Sequence, residues 1–419
     1  MPSRLRRLAV SASLTAVLVG ATACSSSSGG GSTKQAETTG ATSGKSLTIL
    51  IGSSGDAETN AVKAAASAWA SSTGNTVNVQ VASNLDQQLT QAMAGGAPPD
   101  VFYLSPSSFQ TLAGDGSLAA YGSQLSDGSD FYPALTKAFT YKNQLFCAPK
   151  DFSTLAIEIN TDLWKAAGLT DADLPTTWDK LEVDAKKLTS GKVTGLVIGD
   201  TLDRVGAFMA EAGGGYLNSD GTKFTFDSDA NVQGLTYVQK LAKEGVLKFP
   251  KQVGAGWGGE AFGKGLAAMT VEGNWIQGAM TKDYPNVKYL TVPMPTGPSG
   301  KQGTLSFTNC WGIAAKSKSQ TAAVKLVEAL TAVPQQLTFA KTIGVMPSRS
   351  SAKDQYISQN PASKAFIDEA TYAVPQVTTK GFAQVQSSFD SSVIGLATGA
   401  SDPKTMLTTL QQNAQSLLG

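Results

Sequence analysis

From Leu47 to Leu104 the chain alternates two kinds of apolar pattern, and that alternation restricts the fold more than any other feature. Leu47–Ile51 is a short apolar run that ends at Gly52, Ser53, Ser54 and Gly55, the pattern of a strand entering a loop. Asn60–Ser71 is Ala-rich with helical spacing and is closed by Gly74; Thr76–Ala82 alternates as a strand. Leu85–Ala94 has helical spacing again and stops at Gly95 and Gly96, and Val101–Leu104 reads as a third strand. Strand, helix, strand, helix, strand implies a parallel or mixed sheet with helices on its faces, because parallel neighbours need a crossover connection.

The same style returns later. Leu155–Ile159 and Gly195–Ile198 read as strands, and Ala230–Ala242 and Ala322–Leu330 as helices. Thr177 is a candidate N-cap for a helix over Trp178–Leu188. Ala261–Met269 is a short apolar segment, and Gly312–Ala315 is strand-like. From Ser46 to Gly419 the globular part exceeds the size at which one core divides, so two α/β lobes are expected.

The N-terminus sets the compartment. Arg4, Arg6 and Arg7 precede an apolar run over Leu8–Val19, and small residues lead to Cys24. This is the pattern of a signal peptide over residues 1–23, and the run is too short for a membrane-spanning helix. Cys24 after small residues resembles a lipobox, which implies acylation there and a lipid anchor at the outer face of the cell membrane. Residues 24–45 are nearly all Ser, Gly, Thr, Ala and a few charges, so they are expected to form a flexible linker.

Charge and composition exclude several functions. Lys plus Arg is 33 and Asp plus Glu is 32, a balance that gives no footprint for nucleic acid. Histidine is absent, which removes Ser-His-Asp and Cys-His catalysis and the commonest zinc ligand, and nothing calls for a cofactor or a metal. With Cys24 acylated, Cys147 and Cys310 remain; in an oxidising compartment the pair reads as a disulfide, with two isolated buried thiols as the alternative.

A more specific pattern lies in Ala261-Phe262-Gly263-Lys264-Gly265-Leu266-Ala267-Ala268-Met269, followed by Gly273-Asn274-Trp275. Asn160-Thr161-Asp162-Leu163-Trp164, Pro175-Thr176-Thr177-Trp178, Trp311-Gly312-Ile313-Ala314 and Gly344-Val345-Met346-Pro347 accompany it in order. The set resembles the extracellular solute-binding proteins of ABC importers, in the sugar-binding group that includes maltose-binding protein. The resemblance implies two α/β lobes joined by crossing segments, with ligand in the cleft between them (the periplasmic-binding-protein-like type II fold). It places residues 46–147 and 312–345 in an N-lobe and 148–311 and 346–419 in a C-lobe. It also implies a monomeric, non-enzymatic receptor that hands a sugar to the transmembrane subunits of an ABC transporter. A receptor of the same fold for a glycerol phosphate or a polyamine, or a secreted glycoside hydrolase, is the alternative.

The candidate contacts follow from strand ends and aromatic context. Sugars stack their C–H faces on aromatic rings and bond their hydroxyls to polar groups. Of six tryptophans, Trp69 sits in the Ala-rich first helix, Trp164 follows a strand and Trp178 starts a helix, and all three are expected in the core. Trp257, in a Gly-rich stretch, Trp275, after a Gly turn, and Trp311, on a crossing strand, are the candidate stacking residues. Ser53, Ser54 and Glu58 follow the first strand; Tyr103 and Ser105 end the third; Asp151 and Ser153 follow Pro149. Asp203 and Arg204 precede a helix and Arg349 follows Pro347, so these complete the polar set. Asp100 starts its strand rather than ending it, which suits a structural role. Replacing Cys24 by Ser is expected to move the protein from the membrane fraction to the medium, as cell fractionation would register.

Overall fold

The computed structural model describes residues 35–53, 56–218, 222–379 and 381–417. Cys24, Ser54 and the signal segment lie outside the described residues. The strands are β1 Ser46–Ile51, β2 Thr76–Val81, β3 Val101–Leu104, β4 Thr140–Tyr141, β5 Gln144–Leu145, β6 Ala148–Asn160, β7 Thr194–Ile198, β8 Leu247–Lys248, β9 Ala267–Gly273, β10 Tyr289–Val292 and β11 Ser306–Ile313. Their order is β2-β1-β3-β11-β6-β9-β7-β8, with β10 also on β6, and β4 and β5 form a separate hairpin. The order divides into two α/β halves. Parallel pairs β1–β2 and β1–β3 belong to one half, and parallel pairs β7–β9 and β7–β8 to the other.

Strand β6 joins the halves. Its first part, through Thr154, pairs antiparallel with β11, and Leu155–Ile159 pairs antiparallel with β9. All of its residues are buried, consistent with a strand covered on both faces. Leu155, Ile157 and Ile159 alternate onto a core with Trp164, Trp178 and Leu181, while Ala156 faces Phe262, Ile276 and Met280. Trp311 and Ile313 on β11 enter the other half's core with Ile49, Trp69 and Val101. The expected strand over residues 155–159 is therefore the distal part of a much longer one. Its earlier residues include Pro149, Lys150 and Asp151, a poor local strand signal that tertiary pairing overrides.

Most other elements stand where the patterns put them. Thr177 caps helix Trp178–Leu188 by accepting the Lys180 N–H at 3.4 Å, and Lys186 and Lys187 sit in its last turn. Asp100 is structural: Oδ2 accepts the Thr48 N–H at 2.8 Å and Oδ1 accepts the Ser317 hydroxyl at 2.5 Å. The segment 261–269 splits into the end of helix Gly258–Gly263 and the start of β9, with Gly265 at φ +66° in the turn between them. Among the described residues no helix is long and apolar enough to cross a membrane.

The linker reading needs correction over its last part. Ala36 is buried, its N–H bonds to the Ala120 carbonyl at 2.8 Å, and its carbonyl accepts from Gln124 at 2.9 Å. The Glu37 N–H reaches Gln320 Oε1 at 2.8 Å, and the Thr42 carbonyl accepts from Asn75 at 2.8 Å. Low side-chain apolarity argued for coil, but satisfied backbone groups and one small buried side chain hold this strip without a large apolar contribution.

Cys147 and Cys310 stand with Cα atoms 5.5 Å apart and sulfurs at bonding distance, beside the β6–β11 ladder. No free thiol is expected at either position without reductant, by labelling and mass spectrometry. The double change Cys147→Ser, Cys310→Ser is expected to cost about 2–4 kcal/mol of stability in a denaturant melt.

Candidate functional site: the cleft between the sheet halves

A cavity of about 300 Å³ opens between the ends of strands from both halves. Ser105 and Ser107, just after β3, form one side; Asp203, Tyr216, Phe307 and Asn309 form much of the other. Strand ends carry these residues because a buried strand cannot expose side chains along its length, whereas the loops beyond it can.

Behind Ser105 and Asn309 lies a buried charge network whose members do not themselves line the cavity. Glu58, in the first turn of helix Asp56–Thr73, accepts the Tyr103 hydroxyl at 3.0 Å and the Lys150 ammonium at 3.2 Å through the same Oε1. Lys150 also pairs with Asp151, and its Nζ lies 4.6 Å from the centre of the Tyr103 ring. The β6–β11 register explains why a lysine is here. Asn309 pairs with Asp151 and Cys310 with Pro149, so the ladder skips Lys150. An extra residue in a ladder is a bulge, which re-aims its side chain. The carbonyl it releases accepts from Gln336 at 3.3 Å. Burial alone would lower the Lys150 ammonium, but Asp151, Tyr103 and Glu58 hold it above its ordinary value. Burial pushes Asp151 up, against the pull of Lys150.

Next to Phe307, which lines the cavity, stands an aromatic platform fixed by one carboxylate. Glu272, near the end of β9, accepts at Oε2 from Arg204 Nε at 3.0 Å, Arg204 Nη2 at 2.8 Å and Trp275 Nε1 at 3.0 Å. The guanidinium lies 4.9 Å from the indole centre, and the indole meets Phe307 edge-on at 5.5 Å and 84°. Trp275 remains 38% exposed. Gly273 is required by this arrangement, since a Cβ there would stand 2.2 Å from the indole ring. Behind the platform, Glu158 is buried on β6; burial and then Glu272 push its carboxyl well above the ordinary value. Burial likewise raises Asp203, offset in part by Arg204 and Gln386.

The structure brings together part of the candidate set. Ser105 and Asp203 line the cavity; Glu58, Tyr103 and Asp151 meet in the buried network behind Ser105, and Trp275 and Arg204 meet in the platform beside Phe307. Ser53 accepts the Thr59 hydroxyl at 2.8 Å at the start of a helix. Ser153 is a structural pin: it donates to the Thr154 carbonyl at 3.0 Å and accepts the Asn274 N–H at 2.9 Å. Trp257 lies half-buried over Gly259 against the cluster of Phe262 and does not line the cavity. Trp311 corrects the expectation of a stacking residue. Strand alternation turns it into the core, fully buried, with its ring 4.7 Å from Tyr103. Arg349 is also corrected. It is fully buried, donates to the Thr331 carbonyl at 2.9 Å, pairs with Asp127 at 2.9 Å and lies 3.8 Å from the Phe131 ring centre. Lys150, Glu272, Phe307, Tyr216 and Asn309 were missed. Glu272 stands one residue before the Gly273-Asn274-Trp275 motif and could have been inspected with it; the others carry no local signal.

Two α/β halves joined by crossing strands, with a polar and aromatic cleft between them, define a two-lobed binding protein. Residues 64–366 match the family described as bacterial extracellular solute-binding protein, and this chain belongs to it. The chain is similar to the diacetylchitobiose binding protein DasA of Streptomyces coelicolor, 26% identical over 317 residues, 71% of this chain and 72% of the relative. Its fold is similar to that of the cyclic alpha-maltosyl-1,6-maltose binding protein from Arthrobacter globiformis, with TM-score 0.80, 19% identity, and coverage of 89% of this chain and 98% of that one. UgpB from Mycobacterium tuberculosis, solved in complex with glycerophosphocholine, is similar too, with TM-score 0.75, 18% identity, and coverage of 89% and 98%.

Glu158 supplies a pH test. The unfolded chain ionises this carboxyl near the ordinary value of 4.5, whereas the folded protein keeps it protonated to higher pH. Its contribution to stability therefore falls as pH rises above that value. Glu158→Gln, which keeps the neutral shape, is expected to melt higher than the parent at pH 7 and level with it near pH 4. A variant that melts lower at both values would show the carboxyl to be held charged.

Proposed function

We propose that this chain is the extracellular carbohydrate receptor of an ABC importer. It captures a sugar between its lobes and presents the closed form to the transporter's membrane subunits. The observation that carries the reading is the Trp275 platform, an exposed indole locked by Glu272 and Arg204 beside Phe307 at the cavity edge. A fixed aromatic face next to charge-assisted hydrogen-bonding groups suits the apolar face and vicinal hydroxyls of a sugar ring. The sugar ligands named for DasA and for the Arthrobacter globiformis protein support the same class.

The charges beside the cavity favour a neutral ligand. Among the described residues lining it, Asp203 alone is charged. A phosphate ester would face that carboxyl, while the nearest arginine is already committed to Glu272. A polyamine would want several carboxyls, and a glycosidase needs two flanking the scissile bond. In this reading residues 46–147 and 312–345 form the N-lobe, 148–311 and 346–419 the C-lobe, and an acylated Cys24 tethers a monomer to the outer face of the membrane. Ser105, Asp203 and Trp275 are the proposed direct contacts. Glu58, Tyr103 and Asp151 support Ser105 and Asn309 from behind, and Ser53, Ser153, Trp257, Trp311 and Arg349 are left out of the contact set.

A thermal-shift panel of oligosaccharides, polyamines and glycerol phosphates tests the class. At 100 times its dissociation constant a true ligand adds about 2.7 kcal/mol of stability. Trp275→Ala is expected to weaken the sugar that responds by at least about 2 kcal/mol, roughly thirtyfold in Kd by calorimetry, with the melting temperature of the free protein little changed. Stabilisation by an amine or phosphate ester alone would overturn the carbohydrate reading.

A further inference from the structure

On the Asp203 side of the cavity two acids stand together without a base between them. Asp203 lines the cavity from the first turn of helix Leu202–Glu211, and Gln386 lines it from helix Phe382–Thr398. Asp390 lies one turn beyond Gln386, on the same face of that second helix. Thr201, at the N-cap of the first helix, makes no side-chain bond to it; Asp390 supplies one instead, its Oδ1 accepting the Leu202 N–H at 2.7 Å. A carboxylate is favoured at a helix N-terminus, and this contact holds Asp390 at the turn that carries Asp203.

Nothing neutralises the two. Asp200, just before the helix, brings a third carboxylate to Asp390. Arg204 is already committed to Glu272 at 2.8 Å, and among the described residues no salt bridge reaches Asp203 or Asp390. Helices Asp229–Lys243 and Pro403–Gln415 also pack on Phe382–Thr398, and they place no described charge against Asp390. Burial pushes Asp390 up to about 6; the Leu202 N–H pulls against it, and the Asp203 and Asp200 charges add to it. Tyr216 points to the same place. It lines the cavity, is buried, and its hydroxyl has no hydrogen-bond partner. That hydroxyl stands against Gly206, one turn after Asp203, where a Cβ would lie 1.9 Å from it. Burial, then Asp203 and Asp390, keep it protonated. A buried donor left unused beside two acids is costly unless a partner arrives.

We propose that sugar binding takes up one proton at the Asp203–Asp390 pair, so that the receptor captures its cargo more tightly in mildly acidic surroundings. The inference rests on the carbohydrate reading above and names the regulation of that site. A sugar over Asp203 expels water that screens the two charges, and their repulsion grows as the local dielectric falls. A proton from solvent then settles on Asp390 and the pair loses one of its two negative charges. Asp203 remains an acceptor for a sugar hydroxyl, and the Tyr216 hydroxyl can serve the remaining charge. The sign follows from linkage, since binding that takes up a proton is favoured as pH falls. Above the pair's titration range binding must draw that proton in; below it the proton is already in place.

Calorimetry on the purified protein tests this with diacetylchitobiose, maltotetraose and a galactotriose. With the sugar that binds, titrations near pH 6.5 in phosphate and in imidazole, whose ionisation heats differ, are expected to show uptake of about half a proton. Affinity is expected to be about tenfold greater at pH 5 than at pH 8. The buffer comparison needs no variant. Asp390→Asn keeps an acceptor for the Leu202 N–H and removes the charge, and a melt verifies its folding. It is expected to bind at both pH values about as tightly as the parent does at pH 5, without proton uptake. Equal heats in the two buffers, proton release, or a folded Asp390→Asn protein with the parent's pH dependence overturns the proton-linked pair and leaves the carbohydrate reading intact. No binding by any of the three sugars at any pH overturns both.

Discussion

The pairing of β6 with β11 is the interaction on which the rest depends. These strands cross between the two halves, so their register sets where each half's strand ends lie and which residues face the cleft. A strand displaced by one residue turns every side chain to the opposite face. The bulge at Lys150 is a local and controlled version of that displacement. It leaves the hydrophobic alternation of Leu155, Ile157 and Ile159 intact while freeing one cation for Glu58 and Tyr103. The pair Cys147 and Cys310 stands at the same place, where a covalent link pins neighbouring strands without joining the outer parts of the two halves. Lobe closure then has a mechanical basis. In the proposed closure the two strands would bend together, and ligand favours closure only as far as it binds the closed form more tightly than the open one.

Beside the cleft stand buried charges that cost stability unless their partners are fixed. Lys150, Glu58 and Asp151 are buried together, and Arg204 and Glu272 form a second, partly buried pair. Removing one member of such a group leaves an uncompensated charge, which is far more damaging than replacing the whole group. The return is orientation. Three donors converge on a single oxygen of Glu272, so the Trp275 ring is held in one orientation; in the proposed binding little ordering of that ring would remain to be done. Gly273 belongs to the same device, because any larger residue there would displace the indole.

Local pattern made some of this legible. Short strands β1 and β3, the helix capped by Thr177 and the core roles of Trp69, Trp164 and Trp178 follow from periodicity, capping and burial that neighbouring residues determine. Trp275 was legible because the glycine before it marks a turn out of a packed strand. What local pattern could not show is where long-range packing decides exposure. Trp311 stands on a crossing strand as expected, yet alternation turns it inward; Arg349 follows a proline loop as expected, yet Thr331, Asp127 and Phe131 close around it. Lys150 joins the buried charge network only through a bulge defined by a strand far away in sequence. The docked strip at Ala36 was illegible for a related reason, since its attachment runs through backbone groups that composition does not describe.

The central claim is that an oligosaccharide draws the two lobes together about the β6–β11 crossing. Small-angle X-ray scattering of the purified protein, with and without a saturating sugar identified by binding, tests it most directly. The account predicts a smaller radius of gyration in the presence of the sugar. An unchanged scattering curve under verified saturation would contradict closure about these strands.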